Sequence, residues 1–371
     1  MKDLLKFLSP LGLAVALALP STGPIPAAEW TVAAPAAVGF APDLGERLDA
    51  ALDSEAYSGV HAVVLIRGGK LVYERYLAGD DEIWGRSKSG VVFTPDSLHD
   101  VRSVTKSVVG LLYGIALDEG IVPSVDAPVV TAFPQYADLG DDAARRQILI
   151  RHMLSMTMGL EWDEMTVPYG EPENSENAMN EAQDSLRYAL DRPVASLPGT
   201  SWTYSGGAAE LAGEIIAQGA GTGLIDYARD RLFNPLGMGK FEWVTDYYGR
   251  PHSASSLRLR PRDTAKIGQL VLDGGLWNGE RIVSADWIGA SIEPYGDTGE
   301  GCRYGYFWWL CETGGGLKVI EGSGWGGQQL LILRDLDIVL VSNAGLYGDP
   351  DAWRRAYGLL EEVVLPALDS H

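Results

Sequence analysis

The sequence predicts an α+β fold in which one antiparallel β-sheet, flanked by terminal helices, carries a large inserted helical lobe. Strand-like runs occur near both ends of the chain, while the region from about Asp100 to Ile292 is mainly helical and loop-rich. The economical assembly joins the strands of both ends in one sheet and leaves the middle as a second lobe. We expect an α/β lobe of residues 38–99 and 297–371, a helical lobe of residues 100–296, and a ligand site in the cleft between them.

The first elements of the mature chain predict a helix followed by a β-hairpin. Asp43 to Leu52 has the apolar spacing of a helix. His61 to Ile66 and Lys70 to Tyr76 are strand-like runs joined by Arg67-Gly68-Gly69. Glycines in so short a connection are typical of a tight turn between antiparallel strands.

Helix-like and strand-like patterns continue along the rest of the chain. The apolar stripe from Val104 to Ile115 predicts a helix that ends at Gly120. Residues 351–365 predict a closing helix. Strand-like runs return after Gly301, at residues 304–310, 317–320, 329–333 and 338–342.

Cys302 and Cys311 are the two cysteines of the chain. If residues 304–310 form one straight strand, nine steps of ~3.3 Å place the two sulfurs roughly 30 Å apart. A disulfide needs Cα atoms within about 7 Å of each other. We therefore expect no disulfide between these cysteines.

The N-terminus predicts an export signal in residues 1–28, which leaves residues 29–371 as the mature domain. Lys2 and Lys6 precede the apolar run Leu11 to Leu19, and small residues and prolines follow. That run is too short to span a bilayer, and no later stretch is long and apolar enough. We expect a periplasmic or secreted protein; the alternative is a disordered cytosolic leader.

Charge and histidine spacing exclude two classes of partner. The 371-residue chain has a formal net charge of −21, which would repel a phosphate backbone, so nucleic acid is not an expected partner. The five histidines lack the spacing of metal ligands, so we expect no metal site and no other cofactor. His61, His99 and His152 have no partner pattern and are expected to be structural.

Ser103-Val104-Thr105-Lys106 is the first segment that could carry chemistry. If Ser103 opens a helix, Lys106 lies over the same face, and an amine desolvated enough to lose its proton can accept the serine proton. The helix N-terminus adds backbone N–H groups beside the reacting oxygen. Alone, the pattern also fits an ordinary helix start with a solvated lysine.

Two later segments could complete a site around this pair. Pro198 to Gly206 places Tyr204 just before a helical stretch, where a phenol close to a lysine could shuttle protons. Gly322 to Gln328 is glycine-rich and enters a strand, so a backbone N–H there could complete an oxyanion hole. Taken separately, the two segments also fit a packing tyrosine and a glycine-rich turn.

Together, the three segments resemble the serine β-lactamase and penicillin-binding-protein superfamily. Within its class C-like branch the chain looks most like the 6-aminohexanoate-dimer hydrolases and the family VIII-type esterases. The resemblance extends from about Val38 to Leu365 and also rests on residues 150–162, 231–238, 261–287 and 304–309. It implies a β-lactamase/transpeptidase-like fold and a serine hydrolase.

The resemblance implies a role for four residues. Ser103 looks like the nucleophile, Lys106 like its activating partner, and Tyr204 like the general acid/base that protonates the leaving group. The backbone N–H groups of Ser103 and Trp325 would form the oxyanion hole. The expected reaction is cleavage of amide or ester bonds of small substrates through an acyl-enzyme on Ser103.

Two positions depart from the β-lactamase pattern. Tyr204-Ser205-Gly206 stands where those enzymes carry Y-x-N, so Gly206 lacks the amide that would bind an acylamide side chain. Gly322-Ser323-Gly324 stands where they carry K-T-G, so Gly322 lacks the cation that would meet a β-lactam carboxylate. Both losses favour the esterase and amidase members over efficient β-lactamases.

Further substrate-binding candidates come from two loops and from the glycine-rich strand. By resemblance the loops should overhang the cleft, although each side chain also fits a surface or packing role. Asp263 is expected to be a helix N-cap. The substrate-binding candidates are Trp162, Asp163, Tyr169, His252, Gly322 and Gly324.

Several alternatives stay open at this point. In the same superfamily the chain could be a carboxylesterase or a weak class C-like β-lactamase, and outside enzymes a penicillin-sensor-like binding protein. The presence of Ser103, Lys106 and Tyr204 together favours an enzyme. The chain has no G-x-S-x-G elbow, which disfavours an α/β-hydrolase, and no Walker, dinucleotide or H-E-x-x-H motif.

Overall fold

The computed structural model describes residues 30–299 and 301–369. The predicted export signal, residues 1–28, lies outside this described part. The strands are β1 (Val60–Arg67), β2 (Lys70–Tyr76), β3 (Ala78–Ile83), β4 (Arg86–Val92), β5 (His99–Asp100), β6 (Glu242–Trp243), β7 (Leu257–Leu259), β8 (Leu276–Trp277), β9 (Glu280–Arg281), β10 (Gly296–Asp297), β11 (Arg303–Tyr304), β12 (Trp309–Glu312), β13 (Lys318–Gly324), β14 (Gln328–Leu333) and β15 (Ile338–Ala344). The helices are α1 (Leu44–Leu52), α2 (Val104–Asp118), α3 (Ile150–Leu154), α4 (Ser175–Glu181), α5 (Ser185–Leu190), α6 (Gly206–Ala220), α7 (Leu224–Ala228), α8 (Pro261–Leu272), α9 (Ala285–Ser291) and α10 (Arg354–Gly358).

Eight strands of the described residues form one antiparallel sheet, in the order β10-β11-β12-β13-β14-β15-β1-β2. The two ends of the chain meet where β1 pairs with β15, for example at Val64↔Val341. β1 and β2 form the predicted hairpin, and Gly68 and Gly69 in its turn have φ of 57° and 67°. Positive φ at both central residues is what a two-residue hairpin turn requires. The predicted sheet, assembled from both ends of the chain, is confirmed.

Both faces of this sheet are buried, and the alternation of side chains along β1 shows how. Val64 and Ile66 belong to a core that includes α2, α6 and α8. Val63 and Leu65 belong to a second core, beneath α1 and the C-terminal helical segment that continues α10 to Ala367. Because successive strand residues face opposite sides, a strand covered on both sides is an unbroken apolar run. The predicted terminal helices therefore do flank the sheet.

Helix α2 lies between the sheet and the helical region. Its residues from Val104 to Ala116 are buried on every side, and it packs against α6, β13 and β14. A helix that is apolar all round belongs in the middle of a structure rather than at its surface. The first residue before this helix is Ser103, so the candidate nucleophile stands where the two regions meet.

Two further expectations concern the helices. Asp263 is not the N-cap of α8, which is Arg260; it lies in the first turn, fully buried, with Lys266 Nζ 3.0 Å from its Oδ1. Its position is therefore fixed by a buried ion pair rather than by capping. Among the described residues, no helix combines the length and the hydropathy needed to cross a membrane.

The prediction that Cys302 and Cys311 are unbonded is wrong. Residues 304–310 are not one strand, because β11 and β12 form a hairpin that turns through Phe307, whose φ is 59°. Antiparallel pairing places the cysteines opposite each other with Cα atoms 4.4 Å apart, and they form a disulfide. The sequence argument assumed a straight strand where the chain reverses direction.

Candidate active site

Ser103 is the N-cap residue of α2, and Lys106 lies on the first turn of that helix, as the spacing predicts. Lys106 Nζ is 3.0 Å from Ser103 Oγ and donates a second hydrogen bond of 2.9 Å to the carbonyl oxygen of Ala254. Lys106 is only 1% exposed. A solvated lysine at an ordinary helix start does not fit this arrangement.

The residue before the nucleophile has a strained backbone. Arg102 has φ of 48°, which is uncommon for a residue with a side chain. Its guanidinium is 2.7 Å from Glu82 Oε1 and lies 4.6 Å from the centre of the Tyr347 ring. Such strain persists where the surroundings fix the conformation, and it is frequent at active sites. These contacts therefore hold the loop that presents Ser103.

Tyr204 joins the pair from the start of α6, whose N-cap is Ser205. Lys106 Nζ lies 4.7 Å from the centre of its ring, and the phenol hydroxyl interacts with the side chains of Ser103 and Lys106. The phenol is buried, and its ring stacks on Trp309 at 5.8 Å. The structure thus brings together the three predicted catalytic residues, which come from two distant segments.

Gly324 explains how the glycine-rich strand reaches the nucleophile. A Cβ atom at this position would lie 2.5 Å from the carbonyl oxygen of Val101 and 3.0 Å from Cβ of Arg102. Only a glycine allows the two backbones to approach so closely. Trp325 follows directly, and it lines the same cleft as Ser103. The predicted oxyanion hole requires Trp325 and Ser103 to face the same cleft, and they do. The oxyanion-hole role of Trp325 stays a prediction.

Ser103 and Tyr204 open into a cleft of about 1050 Å³. The charged side chains of its lining are mostly acidic. Among the described residues of the lining the basic side chain is that of Arg354, and Arg354 Nε is paired with Asp351 Oδ1 at 2.9 Å. A substrate carboxylate would therefore meet repulsion here. The acidic residues of the lining are Glu164, Glu312, Glu321, Asp349, Glu361 and Glu362.

Sequence reasoning missed two buried glutamates beside the catalytic group. Glu164 Oε2 accepts hydrogen bonds from the backbone N–H of Gly206 at 2.7 Å and from Trp162 Nε1 at 2.6 Å. A Cβ atom on Gly206 would lie 3.2 Å from Glu164 Oε2 and 3.1 Å from Glu176 Oε1. Two carboxylates therefore occupy the surroundings of the position where β-lactamases carry an asparagine. No spacing in the sequence marks them, because one comes from a loop and the other from α4.

These carboxylates act together with Tyr204 on the pKa of Lys106. Burial acts to lower the pKa of Lys106, but negative charge on Tyr204, Glu164 and Glu176 raises it above its ordinary value. Burial likewise raises the pKa of Tyr204, although the charge of Lys106 opposes this. Because the charges of Lys106 and Tyr204 each shift the pKa of the other, the two groups titrate as a coupled pair. The expectation that desolvation lowers the pKa of Lys106 is corrected, since the neighbouring negative charges outweigh burial and raise that pKa.

Burial also raises the pKa of the two glutamates. For Glu164, burial and the charge of Glu176 raise the pKa to about 7, and Lys106 acts in the opposite direction. Burial raises the pKa of Glu176 against the charges of Lys106 and Arg102. Glu164 is therefore only partly ionised at neutral pH, and its charge changes near pH 7.

Of the three substrate-binding candidates in the loop at residues 162–169, one lines the cleft and two do not. Tyr169 lines the cleft, 39% exposed, with its ring 5.7 Å from that of Trp325. Trp162 does not line it: the indole is buried against Tyr188 and positions Glu164. Asp163 bonds within its own loop, to the backbone N–H and the hydroxyl of Thr166. The expectation that both overhang the cleft is corrected.

His252 and Gly322 also lie away from the cleft. The ring of His252 stacks on Trp84 at 5.0 Å, beside a separate cavity of about 240 Å³. A Cβ atom on Gly322 would face α2, 3.1 Å from Val104 Cγ1 and 3.4 Å from Ser107 Oγ. Neither residue is therefore placed to contact a substrate in this structure.

Comparison with known proteins agrees with this geometry. The family model described as Beta-lactamase matches residues 46–359. The chain is 25% identical to the 6-aminohexanoate-dimer hydrolase of Paenarthrobacter ureafaciens over 87% of this chain and 80% of that protein. It is 26% identical to the lovastatin esterase of Penicillium rubens, over 53% of this chain and 48% of the relative.

A solved structure supports the fold independently. The D-amino acid amidase from Ochrobactrum anthropi SV3, complexed with L-phenylalanine amide, superimposes with a TM-score of 0.63. The identity is 20%, and the match covers 86% of this chain and 99% of that one. At this identity the likeness shows the fold alone. The chain belongs to the beta-lactamase family and is a serine hydrolase with a β-lactamase/transpeptidase-like fold.

Proposed function

We propose that the protein cleaves amide or ester bonds of small substrates through an acyl-enzyme on Ser103, as a 6-aminohexanoate-dimer-hydrolase-like enzyme. The observation that carries this proposal is the contact of 3.0 Å between Ser103 Oγ and Lys106 Nζ, with Tyr204 beside both, at the edge of an open cleft. A hydroxyl held against a proton-transfer group is the arrangement that covalent catalysis requires.

In the acylation step, Ser103 Oγ attacks the substrate carbonyl carbon while its proton passes to the phenolate form of Tyr204. The Lys106 ammonium stabilises that phenolate, and backbone N–H groups of Ser103 and Trp325 hold the oxyanion. Tyr204 then returns the proton to the leaving amine or alcohol as the carbonyl re-forms.

Deacylation repeats the same proton transfers with water as the nucleophile. Tyr204 accepts a proton from the water, which attacks the ester carbonyl of the acyl-enzyme, and then protonates Ser103 Oγ as the acid product leaves. The cleft supports this step, because Tyr204 and Ser103 both line it and water can reach them.

The charges of the cleft favour neutral or positively charged substrates. The basic side chain of the described cleft lining, Arg354, is already paired with Asp351, so a β-lactam carboxylate would lack a charge-assisted hydrogen bond worth roughly 1.5–3 kcal/mol. That loss is about 10- to 150-fold in binding. We therefore expect kcat/KM for aryl esters or linear ω-amino amides to exceed that for cephalosporins.

The test combines turnover with intact-protein mass spectrometry. The substrates are p-nitrophenyl butyrate, a linear ω-amino amide and a cephalosporin, each with the wild type and with Ser103→Ala. We expect multiple turnovers with the first two, and a transient mass increase of one acyl group that Ser103→Ala lacks. One burst without turnover would instead identify a penicillin-sensor-like protein, and a preference for the cephalosporin would identify a β-lactamase.

A carboxylesterase is the second candidate, and the lovastatin esterase relative favours it. An ester and an amide with the same acyl group distinguish the two. Because both give the same acyl-enzyme, they share the rate of deacylation and differ only in acylation. An amide kcat/KM below detection, with a fast ester, would assign the protein to the esterases.

We also propose that residues 1–28 direct export and that the mature protein is periplasmic or secreted. The disulfide between Cys302 and Cys311 supports this, since structural disulfides are typical of oxidising compartments. N-terminal sequencing of the protein recovered from periplasm and medium tests the proposal. A full-length N-terminus on protein confined to the cytosol would contradict it.

A further inference from the structure

Three buried side chains from separate strands converge outside the active site. They are His61 on β1, Asp81 on β3 and His99 on β5, and one potential ligand atom of each lies within 4.8 Å of the other two. Sequence spacing predicted no metal site, because the packing of strands from three different sheets, rather than local spacing, brings these residues together. We propose that this His61–Asp81–His99 cluster binds a divalent transition metal, with Zn²⁺ the ion best suited to two imidazoles and a carboxylate.

The hydrogen bonds of the two imidazoles direct lone pairs inward. His99 Nδ1 is 3.0 Å from the carbonyl oxygen of Asp100, which can only accept, so Nδ1 carries the hydrogen and Nε2 of a neutral ring does not. His61 Nε2 is buried and has no hydrogen-bond partner among the described residues. If it too carries the hydrogen, the inner nitrogens face each other with lone pairs at 3.0 Å.

The position of the hydrogen on His61 decides what lies between the two rings. A hydrogen on His61 Nδ1 would donate to His99 Nε2, whereas a hydrogen on His61 Nε2 leaves two lone pairs facing each other across 3.0 Å. A metal cation between the inner nitrogens satisfies both lone pairs and neutralises the carboxylate of Asp81.

Two of the three ligand–ligand distances are close to those around one shared ion, and the third, between His61 and Asp81, is at most 4.8 Å. Donor atoms about 2.0–2.1 Å from Zn²⁺ are about 3.3 Å apart at the tetrahedral angle. The two inner nitrogens are 3.0 Å apart, and His99 Nε2 is 3.6 Å from Asp81 Oδ1. The outer contacts are those that orient metal ligands, namely the Asp100 carbonyl on His99 and the Tyr347 hydroxyl, which donates to Asp81 Oδ1 at 2.9 Å.

Such a site would be structural rather than catalytic. None of the three ligands lines the cleft, and the ring of Phe93 lies 4.5 Å from His61 and 5.1 Å from His99. The cluster nevertheless connects to the nucleophile, because Tyr347 bonds Asp81 and stacks under Arg102. A bound metal would therefore fix the strained residue that precedes Ser103.

The test measures metal content of the full chain after chelation and reconstitution with ZnCl₂. By inductively coupled plasma mass spectrometry we expect one equivalent of zinc in the wild type and in the control His252→Ala. The Tm of both zinc-loaded proteins should exceed that of the same proteins after chelation. Asp81→Asn, which keeps the side-chain shape, and His99→Ala should bind zinc at least about tenfold more weakly. Circular dichroism establishes that each variant is folded.

Cobalt gives an independent readout that requires no variant. Co²⁺ in the wild type should show the intense visible absorption of a tetrahedral site with nitrogen and oxygen ligands. A folded wild type without stoichiometric zinc, or folded variants that retain it, would overturn the proposal. So would nuclear magnetic resonance showing His99 doubly protonated at neutral pH in zinc-treated protein, because the cluster would then hold a proton in place of the metal.

Discussion

Replacing Glu164 by glutamine removes one negative charge beside the catalytic group and keeps the side-chain shape. Glu164 raises the pKa of both Lys106 and Tyr204, so it opposes loss of the proton that activates Ser103. With its own pKa near 7, Glu164 is mostly ionised at alkaline pH, where that proton leaves. Its removal should therefore shift the acid limb of the pH–rate profile to lower pH.

The size of the shift follows from Coulomb's law. Two unit charges about 6 Å apart at an effective dielectric constant of about 20 interact by roughly 3 kcal/mol, or about two pH units. Relaxation of the site reduces this figure, so we expect the acid limb of kcat/KM to move down by about one to two pH units. The limb reports the free enzyme, whose proton must leave before Ser103 attacks.

The assay is kcat/KM for p-nitrophenyl butyrate between pH 5 and pH 10, with Glu164→Gln, Glu176→Gln and the control Asp163→Asn. Glu176→Gln should shift the limb in the same direction, since Glu176 also raises the pKa of Lys106. Asp163→Asn should not, because its carboxylate bonds only within its loop. An unmoved limb in a folded Glu164→Gln enzyme would refute the electrostatic argument and leave Glu164 a packing role.

Three further predictions concern the nucleophile, its partners and the disulfide. Ser103→Ala should lower turnover at least ~10³-fold, and near-normal activity in the folded variant would exclude the acyl-enzyme. Lys106→Ala and Tyr204→Phe should be strongly non-additive in kcat, because each acts only with the other; multiplying losses would contradict a single proton-transfer unit. Replacing Cys302 and Cys311 by alanine should lower the free energy of unfolding in urea by about 2–3 kcal/mol, because the disulfide no longer restricts a short loop of the unfolded chain. An unchanged urea midpoint would show that the hairpin forms equally well without the disulfide.

The sequence was most informative where chemistry depends on local spacing. Ser103 and Lys106 are three residues apart, so the periodicity of a helix alone places them together. Tyr204 and Trp325 could be placed only through the family resemblance, because no local pattern links them to α2. The buried strands of the sheet were predictable for a related reason, since a strand covered on both faces must be apolar throughout.

Features that the sequence did not reveal depend on backbone conformations and tertiary contacts that a pattern of residue types does not specify. The turn at Phe307 requires a positive φ at a bulky residue, which no propensity favours, and the disulfide depends on it. Glu164 and the His61–His99 pair gain their significance only from neighbours contributed by other segments. Such tertiary juxtapositions have no signature in one sequence.

The glycine at position 206 links the evolution of this site to the glutamates at positions 164 and 176. An asparagine there would place its Cβ 3.1–3.2 Å from carboxylate oxygens of Glu176 and Glu164, and its amide oxygen would meet their charge. The amide nitrogen could instead donate to a carboxylate, so the effect of asparagine depends on how far the two glutamates can move. Positions 164, 176 and 206 therefore form one set in which the effect of a substitution at one depends on the residues at the other two.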